Sequence, residues 1–403
     1  MSATERLADV LKDSTRPVFL FGSTPPREGT SEEKAKEACA KFAARSAVLA
    51  TDGFIVYDIQ DEAGRTKVER PFPFRKTMDP AWYASLFPSH SGKECVVYKS
   101  VCENTLEEYG SWLDQACDTF GHETFTLVGA PSSTTQLKGP TLVETMNYTK
   151  NRVGCSFGCV CIPERHVSKG NEHQNMIRKS ECGAQWFITQ GIYSTTPVVQ
   201  LLTDYGALCK EKGVTPKKVV LTFAPCGRTK TMTFIKWLGM EVPSDVEQRI
   251  LESTSPVQES FAILKEILST ILLQTAGSGV PIGINVESLS IFKEEIDVAH
   301  ELFQSLQAIL LTSRGSPWSV RWFCVRHAMS HRASQISEQS LVMLETRSHR
   351  GESIDYEVEK KSSTLSSYNG REVVTTGMSS GSVVLSMTIM LALGVLAGRQ
   401  MRN

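Results

Sequence analysis

A chain of 403 residues, 41% hydrophobic and 22% charged, has room for one large α/β barrel or two ordinary domains, and this make-up excludes a disordered polymer. A net charge of −1 removes the electrostatic reason to expect nucleic acid as a partner. The opening stretch MSATERLADVLKDS lacks the apolar core of a secretory signal, so the 11 cysteines read as reduced cytosolic thiols, not as a disulfide framework.

Val18 to Phe21, between Pro17 and the turn residues Thr24-Pro25-Pro26-Arg27, predicts a first strand. Ser31 opens a helix to about Leu49 with Ala35, Ala38, Phe42 and Val48 on its apolar face. Gly53 to Tyr57 is a second strand, with Asp58, Gln60, Asp61 and Glu62 at its carboxyl end. Arg65 to Pro88 has no clean period and reads as a long functional loop with a short helix at Pro80 to Leu86. Cys95 to Val101 is a third strand, Thr105 to Phe120 a helix and Thr124 to Val128 a fourth strand. The loop Gly129 to Thr135 is rich in small and hydroxyl residues, which bring backbone amides close to a phosphate.

A helix at Thr141 to Arg152 leads to a fifth strand, Cys155 to Ile162, which ends in the polar cluster Pro163-Glu164-Arg165-His166. A helix capped by Asn171 and stopped by Gly183 follows, then a sixth strand, Gln185 to Ile188, ending in Thr189-Gln190. Thr196 to Lys212 is a helix stopped by Gly213, and Lys218 to Phe223 a seventh strand. Helices at Thr231 to Gly239, Asp245 to Glu252 and Val257 to Thr275 precede an eighth strand, Pro281 to Val286. An amphipathic helix, Phe292 to Leu311, leads to the Trp-, Arg- and His-rich stretch Trp318 to Arg332, which reads as packing on the barrel bottom, with contact to membrane headgroups as the alternative.

Strands alternating with helices to a count of eight, with no Gly-x-Gly-x-x-Gly after the first, predict a (β/α)8 TIM-type barrel over residues 1–290, not a doubly wound sheet. In such barrels ligands sit at the carboxyl ends of the strands, which directs attention to the residues from Gly154 to Ser194. Cys155, Cys159 and Cys161 fall inside one strand with no second Cys/His pair at zinc spacing, so they read as buried structural thiols, and no metal site is expected.

Residues 291–360 read as a helical C-terminal extension and 361–380 as a flexible linker rich in Ser, Thr and Gly. Gly381 to Gly398 carries no charge for 18 residues and ends in a basic tip at Arg399 and Arg402. As a helix it would span ~27 Å, enough for a thin bilayer. The expectation is a single-pass transmembrane tail anchor that leaves the barrel in the cytosol, on the mitochondrial outer membrane or the endoplasmic reticulum.

At Pro25-Pro26-Arg27, Pro163-Glu164-x-His166, Arg178-Lys179-x4-Ala184, Ile188-Thr189-Gln190 and Leu221-Thr222-Phe223-Ala224-Pro225 the chain resembles the methylenetetrahydrofolate reductases, from about Val18 to Val286. The resemblance implies a flavin-dependent oxidoreductase that passes hydride from NAD(P)H through FAD to a 5,10-methylene folate. It implies that His166, Arg178 and Lys179 hold FAD and that Gln190 meets the folate. Phosphates suit guanidinium and ammonium donors, and a pterin edge suits an amide.

Three positions depart from the family. Gly22 stands where its catalytic carboxylate lies, Gly129-Ala130-Pro131 replaces Arg-Gly-Asp, and Ile162 replaces a tyrosine. Asp58 and Glu62, with Asp61 between them, are the candidate replacement acids. Losing the acid leaves open a barrel that binds folate or flavin without reducing it, or one that serves only as a tail-anchored scaffold.

Overall fold

The computed structural model describes residues 5–60, 70–102, 104–130 and 139–313. They belong to a compact unit, Met1–Ser330; a second unit, His331–Asn403, lies outside the described residues. Eight parallel strands pair in chain order and close on themselves. They are β1 (Phe19–Ser23), β2 (Gly53–Val56), β3 (Cys95–Ser100), β4 (Thr124–Val128), β5 (Ser156–Cys161), β6 (Trp186–Gly191), β7 (Lys218–Phe223) and β8 (Ile282–Val286). The ring closes through Leu20 of β1 beside Asn285 of β8. Each strand is short and buried nearly throughout, because helices cover the outer face and the barrel's own side chains fill the inner one.

The helices follow in chain order: α1 (Leu7–Lys12), α2 (Glu32–Ser46), α3 (Pro80–Ala84), α4 (Phe87–Ser91), α5 (Leu106–Asp114), α6 (Leu142–Lys150) and α7 (Pro163–Lys169). Then come α8 (Glu172–Glu181), α9 (Thr195–Glu211), α10 (Thr229–Trp237), α11 (Ser244–Glu252), α12 (Pro256–Gln274) and α13 (Lys293–Ser313). Local chemistry sets several of their starts. Ser31 caps α2 by accepting from Lys34 N, and Thr105 and Thr141 form full capping boxes with Glu108 and Glu144.

Four expectations need correction. The polar cluster after β5 is itself a helix, α7, entered through Pro163 at its first turn, where a missing N–H costs nothing. Asn171 occupies the cap position of α8 but makes no side-chain cap bond. The single short helix expected at Pro80 to Leu86 is two, α3 and α4. The helix after β3 changes at its end into a π-helical turn, Gln115–Thr119.

The bottom of the barrel is closed by α1. Leu7, Val10 and Leu11 join Val18, Leu20, Ile55, Val96, Tyr98, Trp186, Ile188 and Val220 in one inner cluster. Leu7 presses so near Gly53 that a Cβ there would stand 2.6 Å from its Cδ2. The buried Lys218 at the start of β7 donates its ammonium to Val10 O, which ties α1 to the strand ends. Among the described residues the waist is filled by Trp186 and the base is plugged by α1.

The part of the C-terminal extension that falls within the described residues is α13, packed on α12 and β8. Its first turn carries Glu295, fully buried, whose carboxylate accepts from Gly227 N at 2.7 Å and Thr231 Oγ1 at 3.4 Å. That contact fixes the turn between β7 and α10. The stretch Trp318 to Arg332, the linker and Gly381 to Gly398 lie outside the described residues. Among the described residues no helix is long and apolar enough to cross a membrane.

Candidate functional site

The carboxyl ends of the strands bring together Gly22, Tyr57, Ser100, Val128, Ile162, Gln190, Thr222 and Glu287. Residues 70–79, on the path from β2 to α3, pack near the end of β1. They are tied to the β1 end by an Arg27–Thr77 bridge and by Glu28 N donating to Lys76 O at 2.8 Å. Arg70 of this segment lies over Trp237 of α10, 4.7 Å from the ring centroid, and Phe74 and Phe234 flank the same guanidinium. That segment thereby joins the end of β1 to the helix that follows β7.

The most enclosed polar group of the mouth stands where β8, β1 and β2 meet. Gly22 faces Tyr57 and Glu287 so closely that a Cβ would lie 2.8 Å from Tyr57 Cε2 and 2.9 Å from Glu287 Cβ. Tyr57 donates its hydroxyl proton to the Glu287 carboxylate and accepts from Asn285 Nδ2 at 2.8 Å. Asn285 Nδ2 also reaches Thr222 Oγ1 at 3.3 Å. The Tyr57 ring packs edge-on against Tyr98, centroids 4.9 Å apart.

Burial pushes the Glu287 carboxyl up to about 7, and the bond from Tyr57 restrains the rise. The hydroxyls of Tyr57 and Tyr98 are raised well above their usual value, first by burial and then by the nearby Glu287 charge.

Gln190, expected at the ligand, is at this mouth. The β6–β7 register shifts between Ile188 and Gly191, a bulge at which the Thr189 hydroxyl accepts from Thr222 N at 3.0 Å. Gln190 Nε2 donates to Leu238 O at 3.3 Å, while its Oε1 is buried with no partner among the described residues. Asn285 Oδ1 is in the same condition. Two buried amide acceptors near the strand ends thus have no donor among the described residues, and buried acceptors are costly unless something donates to them.

Asp58 lies at the end of β2 and is held from within. Its carboxylate accepts from Ser100 N at 2.8 Å and Gln60 Nε2 at 2.7 Å. Burial raises its pKa against the pull of Lys99. Glu62 lies outside the described residues.

The three residues expected around FAD each have a partner within the protein. His166 is buried between α7 and α9, with Nε2 2.9 Å from Asp204 Oδ2 and its ring 4.9 Å from that of His173. Lys179 turns inward, donating to Val160 O at 2.8 Å and to Glu172 Oε1 at 3.4 Å. Arg178 is exposed on α8 and donates to Asn175 Oδ1 at 2.9 Å. In this arrangement His166 ties α7 to α9 and Lys179 ties α8 to β5, while the basic groups that line a cavity near the end of β1 are others, Arg27, Arg75 and Lys76, with Glu28 among them.

The thiols of Cys159 and Cys161 are buried, and burial pushes Cys159 up to about 12. Cys155 is half-buried, its sulfur 3.0 Å from that of Cys117. Among the described residues no group of three or more His, Cys, Asp and Glu could hold a metal ion.

Sequence reading missed Glu287, Tyr57 and Asn285. The available signal was position: Tyr57 and Glu287 each stand at or just past the end of a strand, at the face where barrels place their chemistry.

No family model matches the chain, and no curated protein matches it. Among solved structures it is similar to an uncharacterized protein from Clostridium thermocellum that binds two copies of 5-methyl-5,6,7,8-tetrahydrofolic acid. The two share 27% identity and a TM-score of 0.62, over 73% of this chain and 95% of that one. N-(5'-phosphoribosyl)anthranilate isomerase from Pyrococcus furiosus is matched at 10% identity and a TM-score of 0.33, over 72% of this chain and 98% of that one. 2,3-Dimethylmalate lyase is matched at 12% and 0.39, over 82% and 97%.

Proposed function

We propose that the mouth of this barrel binds a reduced folate of the tetrahydrofolate class. One observation carries the reading: the unpaired acceptors Gln190 Oε1 and Asn285 Oδ1 stand at the same mouth as the carboxyl of Glu287. A reduced pterin is rich in donors, with an exocyclic amine and ring N–H groups that suit such acceptors. The folate-binding neighbour from Clostridium thermocellum supports it, since the likeness covers nearly all of that chain.

Titration calorimetry of the full chain with 5-methyltetrahydrofolate tests the proposal. Saturable binding is expected, and ligand at a hundred times Kd should stabilise the fold by about 2.7 kcal/mol. No heat of binding and no thermal shift would remove it.

A second reading deepens the first: hydride transfer from NAD(P)H through FAD to a 5,10-methylene folate, as in methylenetetrahydrofolate reductases. Glu287 is compatible with it, because a carboxyl that carries a proton near neutrality can also act as a general acid. The three basic residues expected at FAD do not fit it as they stand, for His166 and Lys179 have internal partners, and of the three only Arg178 is exposed to meet a phosphate. In this reading Asp58 and Glu62 remain the acids at the second strand, and a visible flavin spectrum that bleaches with NADH or NADPH is its requirement.

The same proposal includes a membrane tether at residues 381–398, with the barrel on the cytosolic face of the mitochondrial outer membrane or endoplasmic reticulum. The full chain is then expected in the membrane pellet after alkaline extraction, and its release into the supernatant would refute the tether.

A further inference from the structure

We propose that Glu287 is a proton-bearing contact of the bound pterin, its neutral carboxyl donating to a ring nitrogen while Tyr57 and Asn285 hold it in place. This rests on the folate reading. Three observations lead to it.

The first is space. Gly22 leaves no room for a side chain of its own, and what fills that room is the pair Tyr57 and Glu287. Their placement is therefore set by contact on two sides. The second is the order of the hydrogen bonds. Asn285 Nδ2 donates to the Tyr57 hydroxyl, which then has its own proton to give to Glu287. The carboxyl is thus held by one protein donor and has no second protein partner among the described residues.

The third is the company the carboxyl keeps. The titratable groups facing it are Tyr57 at the end of β2, Tyr98 on β3 and Tyr193 beyond β6, all held neutral by burial. Tyr193 is itself fixed by donating to Ala224 O. A carboxyl among neutral hydroxyls binds its proton more tightly than one beside a cation, and burial raises its titration to about 7, so the proton-bearing form prevails below that pH. A protonated carboxyl is a donor, and the mouth otherwise offers acceptors at Gln190 and Asn285. A pterin ring has both donor and acceptor nitrogens, so the three groups together read one edge of it.

The experiment is the affinity of the full chain for 5-methyltetrahydrofolate measured from acid to alkaline pH in wild type, Glu287→Gln and Tyr57→Phe. Wild-type affinity is expected to fall about tenfold per pH unit above the Glu287 transition. Glu287→Gln keeps a neutral donor, so its affinity at low pH should stay within about threefold of wild type and lose the pH dependence. Tyr57→Phe removes the bond that restrains the carboxyl pKa, and the transition should move to higher pH.

A second measurement needs no ligand. The carboxyl pKa is raised in the folded chain, so its stabilising contribution is complete below the unfolded value of 4.5 and is lost as pH rises through about 7. The thermal midpoint of wild type should therefore fall relative to Glu287→Gln across that window. Folate binding that is flat with pH in wild type, or that falls equally in Glu287→Gln, overturns this inference and leaves the folate reading standing. No folate binding at any pH overturns both.

Discussion

Gly22→Glu, which restores the family's carboxylate at the first strand, is expected to destabilise the protein by about 3–5 kcal/mol and to leave it without the gain in chemistry it was meant to supply. The steric part follows from the close approach of Tyr57 and Glu287. A Cβ 2.8 Å from Tyr57 Cε2 and 2.9 Å from Glu287 Cβ is nearer than such atoms come, and overpacking of this kind costs about 1–3 kcal/mol. The electrostatic part follows from Glu287, since a second carboxyl in the same enclosure makes each harder to ionise. Against a total stability of about 5–15 kcal/mol the sum is large.

Urea denaturation of Gly22→Ala isolates the steric part, and comparison with Gly22→Glu gives the remainder. Glu287→Gly in the Gly22→Glu background should recover most of the loss, because it returns the volume and removes the paired charge. If Gly22→Ala proves neutral, Tyr57 and Glu287 are free to move aside and their placement does not depend on Gly22.

Trp186→Ala is expected to cost about 3–5 kcal/mol, for a different reason. Trp186 is fully buried at the waist of the barrel, where it fills space left by Gly158; a Cβ at 158 would lie 2.2 Å from its Nε1. Truncation leaves a cavity that rigid strands on all sides cannot close. Its indole N–H has no partner among the described residues, so Trp186→Phe removes an unpaired donor along with some volume. That substitution should cost less than half as much as alanine. Equal costs in denaturation midpoints would mean that the waist collapses around the smaller side chain.

The two substitutions probe successive levels of one interior. Trp186 belongs to the inner cluster that makes the barrel solid, while Gly22, Tyr57 and Glu287 mark where solid core gives way to mouth. Tyr57 sits on that boundary, packed on Tyr98 below and bonded to Glu287 above. Stability and ligand chemistry therefore share a residue, and changes at Tyr57 are expected to move both.

Much of the fold was legible in the chain. β4 and β7 run over the expected residues, Thr124–Val128 and Lys218–Phe223, because a short apolar run between turn residues specifies a buried strand locally. Thr105 and Thr141 start their helices as capping boxes, which act within four residues. The short helices were harder to read. α7 has seven residues, few of them apolar, and Pro163 at its first turn was its only strong signal. α1 carries Leu7, Val10 and Leu11 at helical spacing, but six residues gain their stability from the barrel floor they plug.

The site divided along the same line. Gln190 could be placed at the mouth from sequence, since it follows an apolar strand. His166 lies just past the end of β5 and Lys179 in the last turn of α8, yet each turns to a partner supplied by tertiary contact, Asp204 for one and Val160 O for the other. Sequence by itself determined the alternation of strand and helix and the parallel barrel, because these depend on patterns a few residues long. Only the tertiary structure decided which acid stands at the mouth. Glu287 reaches Gly22 and Tyr57 because the last strand closes against the first, and ring closure is a property of the whole chain that no local pattern records.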